Sequence, residues 1–208
     1  VVVVEGLGYR APDAVTDAGE LHAAVAAAAR SALGGAPDVW HLHNHSLGKN
    51  PAVAALPARL AEDGEPLLLQ LHDFAEDGRA ANYAQLAAVR SRLYPYGARV
   101  RYAVLNERDR KALVAAGLDT ASVAVVPNPV QAPPGSPRRP PADSADLLLY
   151  PARGIRRKNI GEAVLLSVAL AGQFRLALTL PPENPVERAA YDRWLAFARE
   201  HALGIELA

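Results

Sequence analysis

The chain has 208 residues, half of them apolar and 21% charged, and its 22 basic and 22 acidic side chains cancel to a formal net charge of zero. That profile excludes a disordered chain and gives a nucleic-acid backbone no basic surface to grip, while the absence of cysteine excludes disulfides and thiolate metal sites. No apolar run approaches the ~20 residues of a membrane helix and the opening valines lack a signal peptide's basic flank, so a cytoplasmic location is expected, with peripheral membrane association left open.

Short β-rich apolar runs alternate with Ala/Leu-rich stretches along the whole length, the rhythm of strand-helix units in a parallel sheet. Residues 1–5 read as a first strand, and a turn through Gly6 and Arg10 leads to a helix over 21–33. Asp17 with Glu20 resembles a capping box at its start, and Gly34 is a natural stop. A second strand spans 39–43, followed by a helix that Asn50 and Pro51 open as N-cap and first-turn residue. A third strand covers 67–71, a polar loop runs through 72–79, and the pattern predicts a helix over 83–93. Strand 100–105, helix 107–116 closed by Gly117, and strand 123–126 complete the first part.

Proline, serine, glycine and arginine then crowd together, with Pro133, Pro134, Pro137, Pro140 and Pro141, which is a linker signature. The rhythm restarts with strand 147–150, helix 160–170, strand 174–178, helix 187–201 and a last strand at Ile205. The expected organisation is a Rossmann-like parallel-sheet domain over 1–130, a linker over 131–145, and the start of a second Rossmann-like domain over 146–208. The chain contains no methionine even at its first residue and its second domain is short, so it reads as a fragment incomplete at both ends. Tyr191, Trp194 and Phe197 fall at helical spacing and are expected in a core.

The chemistry concentrates after strand 147–150, where Arg153, Arg156, Arg157 and Lys158 lie within six residues just before a helix. Loops at the carboxyl ends of parallel strands face the crevice where open α/β sheets bind ligands. A helix N-terminus adds backbone donors and partial positive charge, so a phosphate or diphosphate is the natural guest. Arginine presents a planar fork to phosphate oxygens and lysine a compact, mobile charge.

An Arg, four residues, then a Lys between the first strand and first helix of a carboxyl-terminal domain resembles the donor-phosphate grip of the GT-B glycosyltransferases, above all the retaining family 4 type; Arg153 and Lys158 match that spacing. The family usually has glycine after the lysine, where this chain has Asn159. The resemblance extends to Asp38-Val-Trp-His-Leu-His-Asn44, to Leu67-Leu-Leu-Gln-Leu-His-Asp73, and to the exit strand with its Pro127-Asn128 pair. It implies a hexosyltransferase-like transferase that moves a sugar from a nucleotide-diphosphate-sugar to a hydroxyl acceptor, with retention and without a metal or other cofactor. By the same resemblance Arg153 and Lys158 hold the donor diphosphate and act in catalysis with His72, and His43, Asn44, His72 and Asp73 line the acceptor or sugar pocket. The family's acidic pair for the donor sugar would fall beyond Ala208, so the fragment alone is expected to be inactive.

Two other readings compete. His41, His43 and His45 would share one face of a continued strand, and with His72 they suggest a metal-dependent hydrolase, although a loop from Asn44 onward would break that face. A catalytically silent binding protein on the same scaffold is the other. For the basic turn, the simplest alternative pairs Arg156 and Arg157 with surface acids.

Overall fold

The computed structural model describes residues 1–8, 17–131, 135, 147–170, 173–183 and 185–207. The chain divides into two compact units, Val1–Gln131 and Ala132–Ala208. The proline run expected as a linker lies outside the described residues.

In the first unit, four parallel strands, β1 (Trp40–His43), β2 (Leu67–Leu71), β3 (Val100–Val104) and β4 (Val123–Val125), pair in chain order. Such a sheet needs a covering crossover between successive strands, supplied by α2 (Pro51–Glu62), by the segment holding α3 (Ala80–Gln85), and by α4 (Glu107–Ala115). Leu67, Leu69 and Leu71 of β2 are all buried, and join Tyr102, Val104 and Leu113 in the main core. The helix α1 (Ala18–Leu33) begins where the Asp17 carboxylate accepts from the backbone N–H groups of Gly19 and Glu20 and ends at Gly34 in the left-handed region. Its Leu21 packs with Ala52 and Leu56 of α2. Asn50 caps α2 as expected, with Pro51 in the first turn.

Two expectations are corrected. Residues 1–4 form no strand among the described residues; instead the Asn50 side-chain amide donates to the carbonyls of Gly6 and Gly8, both at 2.8 Å, and Val4 packs against the Leu21 cluster. The helix expected over 83–93 stops at Gln85. Beyond it the chain closes over three residues rather than four, with Ala87 N–H on Ala84, Val89 on Leu86 and Arg92 on Val89. These tighter turns bury both Leu86 and Leu93 against Ala54 and Ala75, and the Leu93 carbonyl is taken by the His45 ring at 2.9 Å. Tertiary burial and a side-chain donor thus override the helical pattern.

In the second unit, β5 (Leu147–Arg153), β6 (Arg175–Leu180) and β7 (Ile205–Leu207) form a parallel sheet in chain order. The register between β5 and β6 shifts between Tyr150 and Arg153, at Pro151, which has no N–H to give a ladder. Ile160 and Val164 of α5 (Ile160–Ala169) meet Leu176 and Leu178 in the core, with Trp194 and Phe197 of α6 (Pro185–Glu200) packed against them. Tyr191 is buried as expected.

Candidate functional site

The first unit gathers imidazoles at the carboxyl ends of β1 and β2. β1 stops because Asn44 takes a left-handed conformation, φ 53°, which asparagine tolerates better than most residues, and the chain enters a short 3-10 turn at His45–Leu47. The Asn44 carboxamide oxygen accepts from His72 N–H at 2.7 Å and from Asp73 N–H at 3.2 Å, while its own N–H donates to the Gln70 carbonyl at 2.9 Å. One residue therefore ties the ends of two neighbouring strands and fixes where His72 leaves the sheet. His43 and His72 stack with ring centroids 5.3 Å apart, and His43 Nδ1 lies 3.1 Å from His72 Nε2. Such a contact needs one nitrogen carrying the proton and one bare. Partial burial, then the neighbouring imidazoles of His41 and His72, hold His43 below the ordinary histidine pKa. His41 Nε2 donates to the Gln70 side-chain oxygen at 2.9 Å. Asp73 forms an ion pair with Arg79 at 2.8 Å.

His43, Asn44, His72 and Asp73 are thus brought together, whereas His45 departs. It is buried under the turn with Nε2 on the Leu93 carbonyl, so the common face proposed for His41, His43 and His45 does not exist. Among the described residues no three His, Cys, Asp or Glu side chains are grouped to hold a metal ion, so the hydrolase built on His41, His43 and His72 has no assembled ligand set.

The second unit carries the basic turn. Arg153 ends β5, and Arg156–Lys158 form a 3-10 turn that delivers the chain to α5. The Tyr150 hydroxyl donates to the Lys158 carbonyl, pinning this turn onto the strand that precedes it. Asn159 sits in the left-handed region, φ 54°, and its side chain makes no capping hydrogen bond, so the first-turn amides of α5 keep their donors without a side-chain cap. Gly154 is required here, since a Cβ would lie 2.3 Å from the Tyr191 ring of α6. Sequence reasoning missed two acids on the turn. Glu183 approaches the Arg153 guanidinium at 3.8 Å, and one Glu187 oxygen accepts from Arg156 N–H at 3.1 Å while standing 3.8 Å from its Nε. Arg156 therefore meets a surface acid, as its simplest alternative had it. Only the fold discloses this, because 31 residues separate the pair.

No family model matches the chain. It is 32% identical over 169 residues to mannosylglucosyl-3-phosphoglycerate synthase of Petrotoga mobilis (strain DSM 10674 / SJ95), a match that takes in 72% of this chain and 33% of that protein. The chain therefore spans about a third of this relative's length. In fold it is similar to the lipopolysaccharide outer core galactosyltransferase WaaB in its apo form, with a TM-score of 0.54 at 13% identity, over 93% of this chain and 50% of that one. In sequence the chain is thus similar to part of a synthase whose name places it among sugar-linking enzymes, and in fold to a galactosyltransferase. The α/β architecture of parallel sheets is the Rossmann-like fold expected. No helix among the described residues is long and apolar enough to cross a membrane.

Proposed function

We propose that the chain contributes the donor-diphosphate grip and an acceptor-side pocket to a glycosyltransferase, which moves a sugar from a nucleotide-diphosphate-sugar to a hydroxyl of an acceptor, with retention and without a metal. The supporting observation is the placement of Arg153 at the end of β5 and of Lys158 just before an α5 N-terminus that the Asn159 side chain leaves uncapped. When the bond from the anomeric carbon to the diphosphate breaks, negative charge grows on the departing oxygens. A guanidinium, an ammonium and helix amides already in position oppose that charge without reorganising, which is where such groups contribute most to rate. The leaving group's charge is met by these cations, so no divalent ion is required for that role. His43, Asn44, His72 and Asp73 would meet the sugar or acceptor, with His72 placed by the Asn44 carboxamide.

The test is a thermal-shift series on the 208-residue chain with UDP, GDP and ADP. A ligand at 100 times its dissociation constant stabilises the native state by ~2.7 kcal/mol, so one of the three should raise the melting temperature by several degrees. Arg153→Ala and Lys158→Ala should each abolish that rise while leaving the ligand-free melting temperature unchanged, since Arg153 is exposed and Lys158 only half-buried. A rise that survives in both variants, or no rise with any nucleotide, would remove the diphosphate grip and the sugar-transfer reading with it.

A further inference from the structure

Within the first unit, the loop after β2 and one face of α4, from Arg108 to Ala116, border an open recess of about 270 Å³. The loop and the first turn of α4, which hold its carboxylates, follow the carboxyl ends of parallel strands, the side of the sheet on which open α/β folds hold ligands. The recess has two kinds of wall. Phe74 and Leu113, with Ala112, form an apolar side, while Glu76, Asp77 and Asp109 bring three carboxylates to the same space.

Glu76 and Asp109 each accept a hydrogen bond, whereas Asp77 faces Arg108 as an exposed ion pair. The Tyr94 hydroxyl donates to Glu76 at 3.1 Å, the Arg108 guanidinium stands 3.8 Å from Asp77, and the Asn106 amide donates to Asp109 at 2.8 Å. An ionised carboxylate accepts up to about four hydrogen bonds, so each keeps acceptor capacity beyond these contacts. An apolar wall with a few positioned polar groups is the general make-up of a small-molecule site. A volume of about 270 Å³, at the small end of ligand pockets, suits a single ring.

The chemistry of the walls selects the guest. Carboxylates accept from hydroxyl groups and repel anions, which rules against a phosphate. The face of an aromatic ring is negative and attracts the slightly positive C–H edges of a saturated ring. Arg108 on the rim adds a donor and offsets part of the negative charge, which weakens the case for a cation. We propose that this recess binds one uncharged pyranose ring of a sugar acceptor, with Glu76, Asp77 and Asp109 taking its hydroxyls and Phe74 stacking against its C–H face. The assignment rests on the glycosyltransferase reading, and it gives the acceptor a chemical class.

The test uses the 208-residue chain labelled with ¹⁵N and titrated with methyl α-D-glucopyranoside and methyl α-D-mannopyranoside. At least one should move the amide signals of residues 74–77 and 108–116 saturably and leave those of 153–158 unmoved. Phe74→Ala should weaken binding by at least about tenfold, equivalent to ~1.4 kcal/mol. Because Phe74 also packs on the core, a second variant is needed. Ala112→Trp on the exposed face of α4 fills the recess from outside the core, and it should abolish the shifts while the rest of the spectrum is preserved. The proposal is overturned if neither glycoside gives saturable shifts, if the shifts persist in Ala112→Trp, or if only the cationic methyl 2-amino-2-deoxy-α-D-glucopyranoside binds. Nucleoside diphosphates are read at 153–158 and methyl glycosides at 74–116, so either result can fail while the other stands.

Discussion

At the scale of single residues, the departure of Asn159 from the glycine usual in the resembled family has a conformational explanation. Asn159 adopts φ 54°, ψ 43°, and glycine and asparagine are the residues that enter this region most readily, whereas others pay for Cβ against the following carbonyl. What the turn demands is the left-handed bend that swings the chain from the Arg156–Lys158 turn into α5. Asn159→Gly should therefore leave stability within a few tenths of a kcal/mol, and Asn159→Ala should cost ~1 to 2 kcal/mol. Urea midpoints of the two variants measure this; an alanine variant as stable as the parent would show that the bend does not depend on this residue. Asn44 repeats the device at φ 53°, where it also positions His72. Sequence suggested a loop after His43, but not that one asparagine would both end the strand and bond across to the next.

At the scale of elements, most helices and strands were legible because their signals are local. Asn50-Pro51 starts α2 and Gly34 ends α1, each within a residue of the expected point. The failures came where the deciding partner is distant in sequence. The stop of α3 depends on His45 holding the Leu93 carbonyl 48 residues away, and the non-strand course of the opening segment on Asn50 holding Gly6 and Gly8. The packing of α6 is of the same kind. Tyr191 and Trp194 were expected in a core, but their partners, Gly154 and Gly161, could not be guessed. A Cβ at Gly154 would lie 2.3 Å from the Tyr191 ring, and one at Gly161 2.6 Å from the Trp194 ring. Tyr191 is only 1% exposed and has nowhere to retreat. Gly154→Ala should thus force α6 off the basic turn and cost ~1 to 3 kcal/mol, the range for overpacking a core. It should also weaken nucleoside diphosphate binding, because Arg153, one of the two cations of the grip, adjoins the displaced residue. A variant with unchanged urea midpoint would mean that the ring accommodates the methyl group. The basic turn itself was legible from charge density, while the acids facing it, Glu183 and Glu187, were not, since their approach needs the fold.

At the scale of the molecule, a neutral net charge gives no hint of acid sensitivity, yet one buried group predicts it. His45 is 3% exposed, and Nε2 faces the Leu93 carbonyl, which can only accept, so Nε2 carries the proton of the neutral ring. Nδ1 is buried without a hydrogen-bond partner among the described residues. Burial therefore pushes the His45 pKa down to about 4, against a smaller upward pull from the Leu93 carbonyl. In the unfolded chain the ring titrates near ~6.5. Between these values the unfolded state binds a proton that the native state refuses, so stability present above ~6.5 is lost as pH falls toward 4. The difference of roughly 2.5 pKa units corresponds to ~3 kcal/mol at full extent. Carboxylates titrate over part of the same window, and a matched variant separates them from the imidazole. His45→Gln keeps an N–H for the Leu93 carbonyl but cannot ionise. It should be less stable than the parent at pH 7, and the gap should close by ~3 kcal/mol at pH 4 as the parent alone loses the histidine contribution. Urea unfolding of both proteins across pH 4 to 7 measures that convergence; parallel curves would mean that the His45 ring already takes up its proton in the folded state.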